Sequence, residues 1–294
     1  MASGTVSKRI VAVSEAVSPV TRFLFESSWS RKVGHPDVSD FVFGNPQEMP
    51  LQGFVEALGK SLVPQNKDWF AYKNNEPQSQ AIVAASLRKI RGLPFEDVDI
   101  AMTNGAFAAL AVSLCALVDP GDEVIFISPP WFFYEALIVN YGGKAVRVKV
   151  DPATFDLDVD AIEAAITERT KAIIINSPNN PTGKIYSHET LTKLASVLTA
   201  ANERYNNTIY LLSDEAYSRI VFDGREYPSP VTYYPDTFLL YTYGKTLLAP
   251  GQRIGYIALS PNMKGRDLMR QAIFAAQVMT GWAFPNALLQ YSLP

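Results

Sequence analysis

KAIIINSPNNPTGKIYSHETLTKLASVLTAANERYNNTIYLLSDEAY, residues 171–217, carries the architecture of the chain in one run. It opens on KAIIINS, a continuous β-branched run of the kind that forms a strand buried on both faces. The loop PNNPTGKIYS follows, dense in turn formers. ETLTKLASVLTAANERY then reads as a helix and TIYLLSD as a second strand. A strand, a crossover helix and another apolar strand make one unit of a mainly parallel sheet covered by helices on both faces.

The same alternation extends outward in both directions. Upstream lie a helix from about 105 to 118, the DPGD turn, strand EVIFIS, a helix after PPWFF, strand KAVRVKV and the helical DLDVDAIEAAI. Downstream, FLLYTYG and RIGYIALS add two strands, and residues 261–290 read as helix broken near Trp282 to Pro285. The expected class is therefore α/β, a three-layer α/β/α arrangement. The first forty residues have mixed polarity and no sustained period, and they end at the turn-rich FVFGNPQEMP. The division expected is an N-terminal arm, 1–43, and one large domain, 44–294.

Composition narrows the function. The chain has 294 residues, 48% of them hydrophobic and 19% charged, which suits a globular protein with a sizeable core. Its net charge of −3, from 26 basic and 29 acidic residues, gives no global basic field for nucleic acid or anionic membrane. The two histidines, His35 and His188, sit in polar surroundings and argue against a histidine-rich metal site or a Ser/His/Asp triad. Cys115, the single cysteine, lies in the apolar run AALAVSLCALV and reads as a core residue. With no intrachain disulfide possible, no bilayer-length apolar run and no secretory signal, the expected location is cytoplasmic.

In open α/β sheets, ligands gather beyond the carboxyl ends of the strands. NSPNNPTG, SDEAYSR and YGK each follow an expected strand, so all three fall where a site is expected. The third belongs to YTYGKTLLAPGQRIGY, residues 241–256, where Lys245 and Arg253 stand eight residues apart among apolar and glycine positions. Cations buried there need an anion or a chemical role, because an unpaired buried charge is costly. A phosphate-binding P-loop is excluded, since that motif needs a glycine five positions before Gly244 and Leu239 stands there. A lysine without a histidine partner points to Schiff-base chemistry. Against this stands the ordinary reading of a lysine as a solvated surface residue.

Taken together, TNGA (103–106), PPWFFY (129–134), NSPNNPTG (176–183), SDEAY (213–217) and TYGKTLLAPGQRIGY (242–256) make the chain similar to the class I/II, fold-type I aminotransferases. The resemblance covers roughly residues 40–294. It implies an enzyme dependent on pyridoxal 5'-phosphate that moves an amino group between an L-amino acid and a 2-oxo acid. Within that resemblance, Lys245 is the residue that binds the cofactor aldehyde and then moves the substrate proton, and Asp214 is the partner of the pyridine nitrogen. Tyr217 and Asn180 are expected at the ring's phenolate oxygen. Arg253, Thr242 and the backbone N–H groups of Gly105 and Ala106 are expected at the phosphate, and Trp131 at the face of the ring. Tyr72 is expected to reach the cofactor of a partner subunit, which implies a homodimer with the site at its interface. Gly44 and Asn180 are expected at the substrate carboxylate, with Phe41 and Phe43 near the substrate side chain. No metal is implied.

Bland readings compete at several of these positions: a helix cap at Asp214, a turn at Asn180 and Gly44, and core packing at Trp131. The sequence also departs from the family, with NNEPQSQ after Tyr72 where a glycine is usual. It stops, moreover, where relatives continue into a smaller domain carrying the arginine for the substrate carboxylate. The expectation is a large domain without that small domain, with little transamination by the chain as given. A C–S lyase, an aminocyclopropane-carboxylate synthase, and a non-catalytic form that binds the cofactor or dimerises remain as alternatives.

Overall fold

A computed structural model of the protein describes residues 4–42, 44–282 and 284–293. Its seven strands are β1 (Ile100–Thr103), β2 (Glu123–Ser128), β3 (Lys144–Lys149), β4 (Thr170–Asn176), β5 (Tyr210–Asp214), β6 (Thr237–Thr242) and β7 (Gly255–Leu259). They form one sheet in the order β1-β7-β6-β5-β4-β2-β3. All run the same way except β7, which pairs antiparallel with both β1 and β6. The helices are α1 (Lys8–Glu26), α2 (Gln52–Ser61), α3 (Pro77–Arg91), α4 (Gly105–Leu117), α5 (Tyr134–Asn140), α6 (Val159–Ala165), α7 (His188–Tyr205), α8 (Tyr243–Thr246), α9 (Arg266–Thr280) and α10 (Ala287–Tyr291).

Side-chain alternation along the strands builds the layers. Val124 and Phe126 of β2, Ala172 and Ile174 of β4, Leu212 of β5, and Phe238 and Leu240 of β6 all face one side, where α4, α5 and α9 pack. Their neighbours face the other side, and there the core divides in two. Ile125, Ile173 and Leu211 meet α6 and α7, whereas Leu239, Tyr241 and Tyr256 meet α2, α3 and α10. The seam between these two clusters falls between β5 and β6. In the undivided layer Leu110 is fully buried, so Leu110→Ala should cost about 2–5 kcal/mol.

Two expectations are corrected here. The first forty residues contain α1, a helix of 19 residues capped by the Ser7 side chain and packed against α5. None of its residues is buried, and Pro19 and two serines, Ser14 and Ser18, blur its apolar stripe, so its period is weak in the sequence. Its helicity depends on packing more than on pattern. Cys115, expected in the core, is exposed. Helix α4 is apolar all round, with ten of its thirteen residues buried, and such a run does not mark which position faces outward. Among the described residues, no helix is long and apolar enough to cross a membrane.

Candidate active site

The carboxyl ends of β4, β5 and β6 and the start of α4 surround a cavity of about 430 Å³. Each contributes through its last residues. Asn176 and Asp214 end β4 and β5 in register, and Thr242 ends β6 and caps α8, its Oγ1 accepting the Gly244 N–H at 3.3 Å. Lys245 lies in α8, immediately beyond.

Of the residues singled out in the sequence, Gly44, Ala106, Trp131, Asn180, Asp214, Tyr217, Thr242, Lys245 and Arg253 line this cavity. Gly105 lies against it: a Cβ on Gly105 would sit 2.8 Å from Arg253 Nη2 and 3.3 Å from Thr242 Oγ1. Its φ of +78° is a conformation that L side chains rarely adopt. Gly255, at the start of β7, supports it from behind, since a Cβ there would come 2.9 Å from Gly105 Cα and 2.2 Å from the Tyr241 carbonyl oxygen. The result is a pocket floored by backbone, at a helix N-terminus, with a guanidinium and a hydroxyl beside it. That is the donor set of an anion site.

Asp214 is buried, and Tyr134 donates its hydroxyl proton to Oδ2 at 2.7 Å while the Ala216 N–H donates to Oδ1 at 3.2 Å. Burial outweighs both bonds and pushes the Asp214 carboxyl up to about 6. Lys245 Nζ lies 5.6 Å from the centre of the Tyr217 ring and close to Gly44, whose Cβ would meet it at 3.5 Å. Burial, helped by the Arg253 charge and opposed by Asp214, draws the Lys245 amine below its usual range. Burial also raises the Tyr217 phenol, with the Asp214 charge adding to the effect. Asn180 Nδ2 reaches the Tyr217 hydroxyl at 3.4 Å.

One expectation changes. The two cations are not both buried: Lys245 is half-buried, while Arg253 is exposed through the cavity mouth and donates from Nη1 to the Pro250 carbonyl at 2.6 Å. Tyr72 is fully exposed and lies outside the cavity, beside Phe284 to Leu288. Phe41 lines the cavity at 92% exposure, and Phe43 lies outside the described residues.

The sequence reading missed Tyr134 and Asn176. Asn176 Nδ2 donates to the Asp214 carbonyl at 2.8 Å, and its Oδ1 accepts the Asn180 N–H at 2.6 Å, so it joins two site residues. The available signal was its place as the polar terminus of an apolar strand. Tyr134 is the last letter of PPWFFY, and nothing in that run of aromatics separates it from its neighbours. Trp131 meets it edge-on at 5.5 Å between ring centres.

The sequence model for aminotransferase class I and II matches residues 37–292. The chain belongs to that family. A probable aspartate aminotransferase of Methanocaldococcus jannaschii is 33% identical over 238 residues, covering 81% of this chain and 61% of that protein. The aspartate/prephenate aminotransferase of Thermus thermophilus is 34% identical over 222 residues, covering 75% and 56%. Among solved structures, an amino transferase from Eubacterium rectale superposes with a TM-score of 0.85 at 30% identity, covering 99% of this chain and 72% of that one. The fold is that of the fold-type I aminotransferases, a family that depends on pyridoxal phosphate. The chain spans about three fifths of the length of the curated relatives it matches.

Proposed function

We propose that the chain is the cofactor-binding large domain, residues 44–294 with an arm over 1–43, of a pyridoxal-phosphate-dependent aminotransferase. One observation carries the reading: Lys245, Asp214, Arg253 and the Gly105 cradle converge on a single cavity, at the carboxyl ends of the strands. The cavity fits the cofactor at each end. Arg253, Thr242 and the first N–H groups of α4 would hold its phosphate, and Asp214 its ring nitrogen. Trp131 would cover one face of the ring, with Asn180 and Tyr217 at its edge.

When bound, pyridoxal phosphate supplies an aldehyde that links to amines and a ring that withdraws electrons from the substrate Cα. Lys245 would hold that aldehyde and, once the substrate amine has displaced it, its lowered amine would serve as the base at the substrate Cα. Asp214 would carry the negative charge that keeps a proton on the ring nitrogen. Gly44 and Asn180 present donors to the substrate carboxylate. The substrates are an L-amino acid and a 2-oxo acid. The relatives' printed activities are transaminations, which does not favour the lyase and synthase alternatives.

A homodimer in the cytoplasm completes the proposal. Phe41, Met49, Phe70, Tyr72, Met279 and Trp282 are large apolar side chains left exposed, and a second copy would cover them. Tyr72 would then reach its partner's cofactor. Borohydride reduction of the protein with pyridoxal phosphate, followed by peptide mapping, tests the reading: the label is expected on Lys245. A label on another lysine, or none, overturns it.

A further inference from the structure

Glu215 follows Asp214 directly, and alternation turns the two carboxylates to opposite sides of the sheet. Asp214 meets Tyr134 of the undivided layer, whereas Glu215 meets α3 near the seam below. Its N–H donates to the Leu240 carbonyl at 2.8 Å, carrying the β5–β6 ladder one residue past the strand. Its fully buried carboxylate is well supplied. Arg91 Nη2 donates to Oε2 at 2.9 Å, Ser213 Oγ donates to Oε1 at 3.2 Å, and Ser229 Oγ also donates to Oε1.

Arg91 is itself nearly buried, with 11% of its side chain exposed, and its guanidinium lies 5.0 Å from the centre of the Tyr227 ring. Its Nε is buried without a hydrogen-bond partner. The fold thus leaves one donor unmet in order to bring this guanidinium to Glu215. Stability alone does not explain the pair, because a buried ion pair is commonly no better than a well-packed apolar replacement. What distinguishes the position is its neighbour.

We propose that Arg91 is a positioning residue that neutralises Glu215 so that Asp214 alone carries the negative charge presented to the cavity, an inference that rests on the reading of Asp214 as partner of a protonated ring nitrogen. The groups acting on Asp214 are Tyr134 from α5, Lys245 from α8, Tyr217, Tyr227, the Ala216 N–H, and Glu215 at its side. Those acting on Glu215 are Arg91 from α3, Tyr227, Ser213 and Ser229, with Tyr241 of β6 and Tyr256 of β7 beyond. Among the described residues, Arg91 is the cation in direct contact with either carboxylate. Removing it leaves two adjacent buried carboxyls that cannot both ionise freely, so they titrate as a pair sharing one proton. A site acid that is neutral part of the time holds a cationic ring poorly.

The test is a carboxyl carbon-13 NMR titration of the full chain freed of cofactor, with Asp214 assigned through Asp214→Asn. Arg91→Gln should raise the upper midpoint of the pair by roughly one pH unit. Glu215→Gln should lower the Asp214 midpoint, and Arg91→Gln/Glu215→Gln should bring it back near the wild-type value. A merely structural role would lower the melting temperature in all three variants without these opposite shifts, and that result would overturn the proposal. Should Arg91→Gln fail to fold, Arg91→Gln/Glu215→Gln set against Glu215→Gln decides: a higher Asp214 midpoint in the double variant reads the Arg91 charge, and equal midpoints sink the idea. Borohydride labelling run alongside separates the two readings: a chain that never captures pyridoxal phosphate refutes the functional reading, while the titration still judges this one.

Discussion

Two buried carboxylates stand at opposite ends of the parallel strands, and they are treated oppositely. Glu123, at the amino end of β2, accepts from Thr167 Oγ1 at 2.6 Å, Lys144 Nζ at 2.9 Å and Arg169 Nη2 at 3.1 Å. The Thr167 bond first, then Lys144, holds its carboxyl below the usual range. Asp214, at the carboxyl end of β5, has a tyrosine and one backbone N–H, and burial pushes it up to about 6. An acid that serves the fold is saturated with donors. The one that faces the cavity is left short of them, a deficit that a cationic ligand would fill.

The contrast can be broken most sharply at the residue beside Asp214 in the cavity. Lys245→Ala should lower whatever turnover of an amino acid and 2-oxo acid pair the wild-type chain shows by about 10²–10⁴-fold or more, the range for removing a general base. A residual rate near wild type would show that another group takes the proton. Stability against pH reads the two acids directly. Asp214 has its folded value raised, so its contribution is full below the unfolded value of about 3.8 and is lost as pH rises through about 6. Without cofactor, Asp214→Asn should therefore gain up to about 2–3 kcal/mol over wild type above pH 7, and nothing at pH 3. Denaturant titrations at the two pH values check this, and an equal difference at both would refute it.

Arg253→Ala should weaken cofactor binding by about 1.5–3 kcal/mol, as for a lost charge-assisted hydrogen bond, while Asp214→Asn keeps much of the cofactor but loses most turnover. Indistinguishable cofactor affinities in the two variants would erase that division of roles. The smallest effect belongs to the structural acid. Glu123→Gln should lose about 1 kcal/mol of stability at neutral pH with turnover unchanged. Because its folded value is depressed, this loss should vanish as pH falls through that value; a loss that persisted in acid would mean Glu123 acts through shape rather than charge.

The sheet was legible from sequence because its strands are buried on both faces: runs such as KAIIINS and EVIFIS admit few other structures. Motif placement was legible for the same reason, since a polar motif after such a strand has to lie at its carboxyl end. What escaped depends on relations across elements. Arg91 and Glu215 are separated by 124 positions, and only the tertiary packing of α3 beside the seam joins them. Tyr134 is one aromatic among four, and its hydrogen bond to Asp214 singles it out. Helix α1 carries its meaning in contact with α5, and an all-apolar α4 gave no clue that Cys115 faces outward.

The back-to-back glycines at the start of α4 and β7 have an evolutionary consequence. A methyl group on Gly255 would collide with main chain on two sides, and one on Gly105 would strike the arginine that completes the anion pocket. Neither obstacle is a side chain that a second substitution could trim away at no loss to the pocket. A lineage that lost either glycine could recover by reverting, but hardly by compensation. This corner should then be the slowest part of the molecule to change, and a mutational scan should find it intolerant even of alanine while the exposed face of α1 varies freely.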